Sequence, residues 1–242
     1  MRRTFRLPPR LNRKIGQAMH DYSMFDDGDR VMIGVSGGVD SLALAWVLKM
    51  WQEKAPIRFK LTAQIIDHGF WRQHEGEVEP GISIGRQLER FSIDYTVDQA
   101  WEIGEKNRTC FQCARNRRSQ LFHLARERGF NKIALGHHKD DLIETFFLNI
   151  LYSGNISTML PRQVLFKGDL SILRPFAYIE KKELVELTSE LELIPITNFC
   201  PFSDNTHREK VRLLLDSLYR EEPEVKRSIF AALANVRQEY LL

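Results

Sequence analysis

Six consecutive residues near the start of the chain, Ser36-Gly37-Gly38-Val39-Asp40-Ser41, have the composition of a phosphate cradle. The glycines carry no Cβ, so the backbone can take positive φ and turn N–H groups toward an anion, while Ser36 and Ser41 add hydroxyl donors. A helix starting directly behind the loop brings its positive dipole end to the same point. The spacing fits neither the Walker A loop nor the three-glycine dinucleotide fingerprint. Asp40 is expected to lie buried in this loop and to orient backbone N–H groups or Mg²⁺. A second set, Gly136-His137-His138-Lys139-Asp140-Asp141, offers hard carboxylates that suit Mg²⁺ beside substrate phosphates. Its imidazoles suit a phosphate or a carboxylate, and one of its acids also fits the first turn of a following helix. The third set is sulfur. Cys110 and Cys113 form a C-x-x-C pair and Cys200 stands far downstream. Arg115, Arg117 and Arg118, with a helix N-terminus, favour thiolates there. Three cysteines fall one short of an all-cysteine zinc site, for which His207 or an acid would have to serve as fourth ligand. A 4Fe-4S cluster on three thiolates keeps one iron open, and a redox pair at Cys110 and Cys113 is a further use.

The elements that must position these groups follow from apolar periodicity. Helices are predicted over 10–25, 41–54, 81–91, 110–128, from the His-His segment to 152, and over 181–193, 208–219 and 224–240. Strands are predicted over 30–35, 59–66, 93–97, 132–135 and 170–173. Asp67 then ends the second strand, so the glycine loop, Asp67 and the His-His-x-Asp-Asp segment all lie at strand carboxyl ends. In an open, mostly parallel twisted sheet flanked by helices, those ends share one ligand crevice. The α/β domain is expected over 29–200, between a basic helical extension at 1–28 and a C-terminal helical segment at 201–242 that covers the sheet or meets a partner.

Composition sets the remaining bounds. With 242 residues, 43% hydrophobic and 28% charged, the chain can bury one α/β core. No apolar run approaches the ~20 residues needed to span a bilayer, and the basic N-terminus lacks the apolar stretch of a secretory signal. A cytoplasmic protein with no membrane partner is therefore expected. A net charge of +3 does not by itself argue for nucleic acid. Six cations, Arg2, Arg3, Arg6, Arg10, Arg13 and Lys14, precede the first acid, Asp21, and form either a phosphate-backbone contact or a solvated arm.

The glycine loop resembles the Ser-Gly-Gly-x-Asp-Ser PP-loop of the N-type ATP pyrophosphatases. Together with Cys110-x-x-Cys113-x-Arg115-x-Arg117-Arg118, Gly136-His137-His138-Lys139-Asp140-Asp141, Arg174-Pro175-Phe176-Ala177-Tyr178 and Cys200, it makes the chain resemble the TtcA family of tRNA 2-thiocytidine synthetases. The resemblance implies an adenine nucleotide alpha hydrolase-like fold. It implies an enzyme that uses ATP and Mg²⁺ to adenylate the C2 oxygen of an anticodon-loop cytidine, then replaces that oxygen with sulfur. It further implies a 4Fe-4S cluster on Cys110, Cys113 and Cys200, and nucleotide contacts from Ser36, Gly37, Gly38, Asp40, Ser41, Asp67, His137 and Asp140. Catalytic roles fall to Asp40, Asp67, Arg117 and Asp141, with Arg117 facing charge on the α-phosphate or departing AMP. Implied partners are tRNA, a sulfur donor system such as a cysteine desulfurase, and a second copy of the chain. Two departures are visible: Val39 stands where the family usually has Lys, and Cys200-Pro201-Phe202-Ser203 has one cysteine where a pair is common. Asp67-His68-Gly69 and Asp140 to Thr145 also resemble the tRNA-isoleucine lysidine synthetases, adenylating ligases that attack with an amine and need no cluster. An ATP-binding iron-sulfur sensor is the other alternative. The three cysteines favour sulfur transfer.

Overall fold

A run of alternate and then continuous apolar residues builds the centre of the sheet. Val31, Met32, Ile33 and Val35 of β1 (Arg30–Val35) are all buried, as a strand covered on both faces requires. The structure is a computed structural model that describes residues 6–69, 79–104, 109–196 and 206–240. Cys200 and the Cys-Pro-Phe-Ser segment lie outside the described residues.

Six strands form one sheet in the order β3-β2-β1-β4-β6-β5. β2 (Lys60–Asp67), β3 (Tyr95–Gln99), β4 (Lys132–Ala134) and β6 (Leu170–Leu173) run parallel with β1, in the register Ile33↔Ala63 and Ile33↔Ala134 on its two sides. β5 (Arg162–Leu165) pairs antiparallel on β6 at the edge. The mostly parallel, helix-flanked sheet is therefore as expected, and β5 is an addition. It is four residues long and only partly buried, so it has no apolar alternation to announce it.

The contacts divide the chain into two units, Met1–His138 with Pro161–Ser203 and Lys139–Leu160 with Asp204–Leu242. This grouping places α1 (Pro9–Asp21) with the sheet, and places α5 (Lys139–Ser153) with α7 (His207–Glu221) and α8 (Val225–Ala232). In the first unit, one sheet face packs against α1, α2 (Val39–Gln52), α3 (Pro80–Arg90) and α6 (Lys181–Glu190), through Ile15, Leu44, Leu48, Ile84, Leu88 and Leu187. The other face packs on α4 (Cys110–Glu127) through Met32, Ile66, Ile133, Leu121, Leu124 and Ala125. Phe122, expected on the buried side of α4, is only half-buried. In the second unit Ile143, Val211 and Leu215 form a small core with Phe147 and Phe230. The last helix is shorter than expected: α8 ends at Ala232, where Asn235 Nδ2 donates to Ala231 O at 2.9 Å, and a separate 3₁₀ turn covers Gln238–Tyr240. Among the described residues no helix is long and apolar enough to cross a membrane.

The Arg174-to-Tyr178 motif is structural in this fold. Phe176 and Ala177 are fully buried behind β6, and the Tyr178 hydroxyl donates to Asp21 Oδ2 at 3.0 Å. Burial raises the Tyr178 phenol above its ordinary pKa, and its hydrogen bonds to Tyr22 and Asp21 raise it further. Part of the basic N-terminal arm is also used internally. Glu183, on the first turn of α6, receives Lys14 Nζ on both oxygens at 2.8 Å, and Arg10 Nε lies 3.6 Å away. Glu183 Oε2 also accepts the Glu180 N–H at 3.0 Å, completing a capping box. Glu183→Ala is expected to lower unfolding free energy by ~3 kcal/mol in urea titrations, through loss of the cap and of a buried ion-pair partner. Glu183→Gln, which keeps the cap, should lose about half as much.

Candidate nucleotide and thiol site

The glycine loop follows β1 and enters α2. Gly37 has φ +80°, a backbone conformation that L side chains rarely adopt, so the turn requires glycine. The loop holds itself in shape: the Ser36 N–H donates to Ser41 Oγ at 3.1 Å, and Ser41 Oγ donates to Gly38 O at 2.9 Å. Ser36 Oγ accepts the Gly38 N–H at 3.4 Å. Ser41 thus spends its proton on loop geometry, and Ser36 keeps the more accessible hydroxyl. Gly38 is the N-cap of α2, whose first amides have no intrahelical acceptor and are the donors an anion would meet.

Asp40 departs from expectation, because its side chain is 30% exposed rather than buried. It belongs to the first helical turn, and its exposure follows from pointing away from the core that Leu42, Ala43 and Leu44 enter. Its carboxylate is gripped by Lys181, the first residue of α6, whose Nζ donates to both oxygens at 2.7 Å. The buried His138 places Nε2 3.9 Å from Asp40 Oδ2. Sequence reasoning missed Lys181; its basic pair Lys181-Lys182 behind the Arg-Pro-Phe segment was the available signal. Gly136, at the end of β4, approaches so closely that a Cβ would sit 2.9 Å from the Asp40 carbonyl carbon and oxygen. The loops after β1 and β4 are therefore in contact, at the point where strand order reverses and open α/β sheets bind ligands.

Asp67 ends β2. Its Oδ1 accepts the Gly69 N–H at 2.8 Å and its Oδ2 accepts Gln99 Nε2 at 3.5 Å, across the β2–β3 register Asp67↔Gln99. From Gln99 the connection continues to α4. The buried Gln120 donates Nε2 to Gln99 O at 2.7 Å and accepts the Trp101 N–H at 3.0 Å, and Asn116 Nδ2 donates to Trp101 O at 2.8 Å. These amides, which the sequence did not single out, fix the helix carrying the thiols to the strand end carrying Asp67.

Cys110 and Cys113 occupy the first turn of α4, behind the N-cap Thr109, whose Oγ1 accepts the Gln112 N–H at 3.2 Å. Cys110 is exposed and Cys113 half-exposed, and both are free thiols. The i, i+3 spacing brings the two sulfurs to neighbouring positions on one side, and Arg117, half-buried, lies one turn beyond Cys113 on that side. Two accessible thiols on a helix N-terminus fit the donor set of a thiolate-bound group. Among the described residues no group of three or more His, Cys, Asp or Glu is arranged as a metal site.

Asp140 and Asp141 stand in the first turn of α5, in the second unit. Asp140 pairs with Lys226, and Asp141 lies 3.4 Å from Arg208 Nη1. Glu144, on the next turn, holds Arg212 Nε at 2.9 Å, and that hydrogen bond raises the Arg212 pKa against the opposing effect of burial. His137 precedes this helix and remains in the first unit.

The PP-loop domain family matches residues 7–213 of the chain. A tRNA-cytidine(32) 2-sulfurtransferase of Ralstonia nicotianae is 37% identical, over 98% of this chain and 76% of its own length. One of Geobacter metallireducens is 34% identical over 96% and 92%. Among solved structures, the U34-tRNA thiolase NcsA from Methanococcus maripaludis, determined with its 4Fe-4S cluster, superposes with a TM-score of 0.75 at 22% identity, over 96% of this chain and 80% of that one. NAD⁺ synthetase from Burkholderia pseudomallei gives 0.50 at 12% identity, over 95% and 92%. Both share the fold.

Lys181 neutralises the one carboxylate in the anion loop. Lys181→Ala is expected to weaken ATP binding on the order of tenfold, about 1.4 kcal/mol, in calorimetric titration. Lys181→Ala combined with Asp40→Asn should recover much of that loss, because the uncompensated charge is then gone.

Proposed function

The chain belongs to the tRNA-cytidine(32) 2-sulfurtransferases, a PP-loop family, and from that premise we propose that it thiolates cytidine in tRNA at the expense of ATP. The observation that carries the reading is the pairing of a strand-to-helix anion loop with a second helix that presents two accessible thiols. That second helix is fixed by Gln120 to the strand pair that ends at Asp67 and Gln99.

In the first step the C2 oxygen of the cytidine attacks the α-phosphorus of ATP. An O–Pα bond forms, the Pα–O–Pβ bond breaks and pyrophosphate leaves. The loop amides behind Gly37 and Gly38, with Ser36, hold the departing phosphates. Asp140 and Asp141, in the first turn of α5, are the carboxylate pair offered to Mg²⁺. His137 and Asp67 are assigned to the nucleotide. In the second step a sulfur nucleophile at the oxidation level of sulfide forms the C2–S bond, and the C2–O bond breaks with AMP as leaving group. Arg117 stabilises the negative charge that develops on that AMP. Cys110, Cys113 and Cys200 would hold a 4Fe-4S cluster, which supplies an open iron for the incoming sulfur. An amine-attacking ligase has no use for this thiol pair. The motif resemblance supports the anticodon loop as target, a cysteine desulfurase-type donor and a homodimer.

Two separable losses test the reading. Asp40→Ala should abolish tRNA-dependent AMP and pyrophosphate release while leaving iron content unchanged. Cys110→Ala, Cys113→Ala and Cys200→Ala should each remove the iron, about four per chain in the reconstituted wild type, and abolish thiolation with ATP affinity nearly normal. Iron-free protein that still thiolates, or cysteine variants that all lose ATP binding, would overturn it.

A further inference from the structure

Two arginines of the cysteine motif, Arg115 and Arg118, have no task in the chemistry above. Both are exposed, and neither forms a hydrogen bond or ion pair with any described residue. At 100° per residue they share one stripe of α4 with Phe111, Phe122 and Arg126, an arc of roughly 80° that runs about 22 Å along the helix. Cys110, Cys113 and Arg117 fall on the other side of the helix, with the buried Gln120, Leu121 and Leu124.

The stripe interleaves aromatic and cationic groups. Phe111, between the two cysteines, is 72% exposed. At the far end the Arg126 guanidinium lies over the Phe166 ring, 4.9 Å from its centroid, and Phe122 meets the same ring edge-on at 6.1 Å. Phe166 is held there by a turn in which Phe166 and Lys167 both take positive φ, 50° and 58°, before Gly168. Core packing does not require such a backbone, since Phe166 and Lys167 remain exposed. Charge along α4 is one-sided: Arg115, Arg117, Arg118 and Arg126 face a single acid, Glu127, which lies 3.7 Å from His123.

We propose that this outer stripe of α4, Phe111-Arg115-Arg118-Phe122-Arg126 with the Phe166-Lys167 turn, is an RNA-binding surface that leads the tRNA strand to the thiol end of the helix. The proposal rests on the tRNA reading above and adds the place of contact. Arginines recognise phosphates, and an exposed aromatic ring stacks on an unpaired base. A purely apolar face would favour a protein partner, whereas exposed arginines interleaved with exposed rings favour a single-stranded loop.

The test measures binding of an unmodified tRNA transcript over a salt series, with ATP binding as a folding control. Wild type should bind with a logarithmic salt slope. Arg115→Ala with Arg118→Ala should flatten that slope by roughly 2, while Arg115→Lys with Arg118→Lys keeps it. Phe111→Ala should weaken binding about tenfold at unchanged slope, and Phe111→Trp should restore it. Wild-type affinity and slope in these variants would overturn the proposal while leaving the tRNA reading intact. Failure of the wild type to bind tRNA would overturn both. Variants that keep tRNA binding but lose sulfur uptake from a donor protein would reassign the stripe to that partner, and so overturn the RNA proposal.

Discussion

The first unit depends on the parallel pairing of β1 with β2 on one side and β4 on the other. Parallel neighbours cannot be joined by hairpins, so the connections among the parallel strands cross back through helices, and each parallel strand delivers its carboxyl end to the same rim; only the edge strand β5, antiparallel to β6, runs the other way. That constraint puts the glycine loop, Asp67 and Gly136 together before any side-chain chemistry is considered. It also explains where small residues are demanded. The backbone of Gly136 presses on Asp40, and Gly34 leaves room for Leu135, whose Cδ2 would lie 2.8 Å from an added Cβ.

On that rim the dominant electrostatic problem is a carboxylate beside an anion site. A helix N-terminus attracts negative charge, and Asp40 supplies a fixed one where a phosphate would sit. The two oxygens held at 2.7 Å by Lys181 settle the conflict, since the pair is close to neutral and leaves the amide dipoles as the net field. The same bond ties the start of α6 to the start of α2. Glu183, two residues on, ties α6 to α1 through Lys14, so one helix start organises both the loop and the N-terminal helix.

How much was readable from the sequence follows from the range of each interaction. The strand at 30–35, the starts of α4 and α6, and the arrival of the glycine loop and Asp67 at strand carboxyl ends were legible because glycine turns and buried-strand periodicity are local signals; of the His-His-x-Asp-Asp segment expected beside them, His138 meets Asp40, while Asp140 and Asp141 belong to the second unit. β5 was not legible, because an edge strand of four half-covered residues alternates with nothing. Lys181 was not legible either, because its partner is 141 residues away and the local basic pair Lys181-Lys182 reads equally well as a solvated helix start. The burial assigned to Asp40 was wrong for a related reason: loop membership was read as enclosure, whereas the first turn of α2 turns that side chain outward. Asp140 and Asp141 were read as carboxylates for Mg²⁺, one of them also fitting a helix first turn; both stand in the first turn of α5, and their pairing with Lys226 and Arg208 required the fold of the second unit.

Helix α4 shows why buried amides, rather than more leucine, attach the thiols. The end of β3 and the segment leaving it carry backbone groups at Gln99 and Trp101, on the open side of an edge strand, that the ladder does not satisfy. Gln120 satisfies a donor and an acceptor with one side chain, at a depth where an unmade bond would cost about 1–3 kcal/mol. An apolar residue there would pack but would leave those groups orphaned and the helix free to rotate. With the amide clamp the rotation of α4 about its axis is fixed. Cys110, Cys113 and Arg117 are held on one side, while Phe111, Arg115 and Arg118 remain on the other. A single rigid helix can then present sulfur chemistry and a cationic surface at the same end without either set of side chains crossing into the other's space.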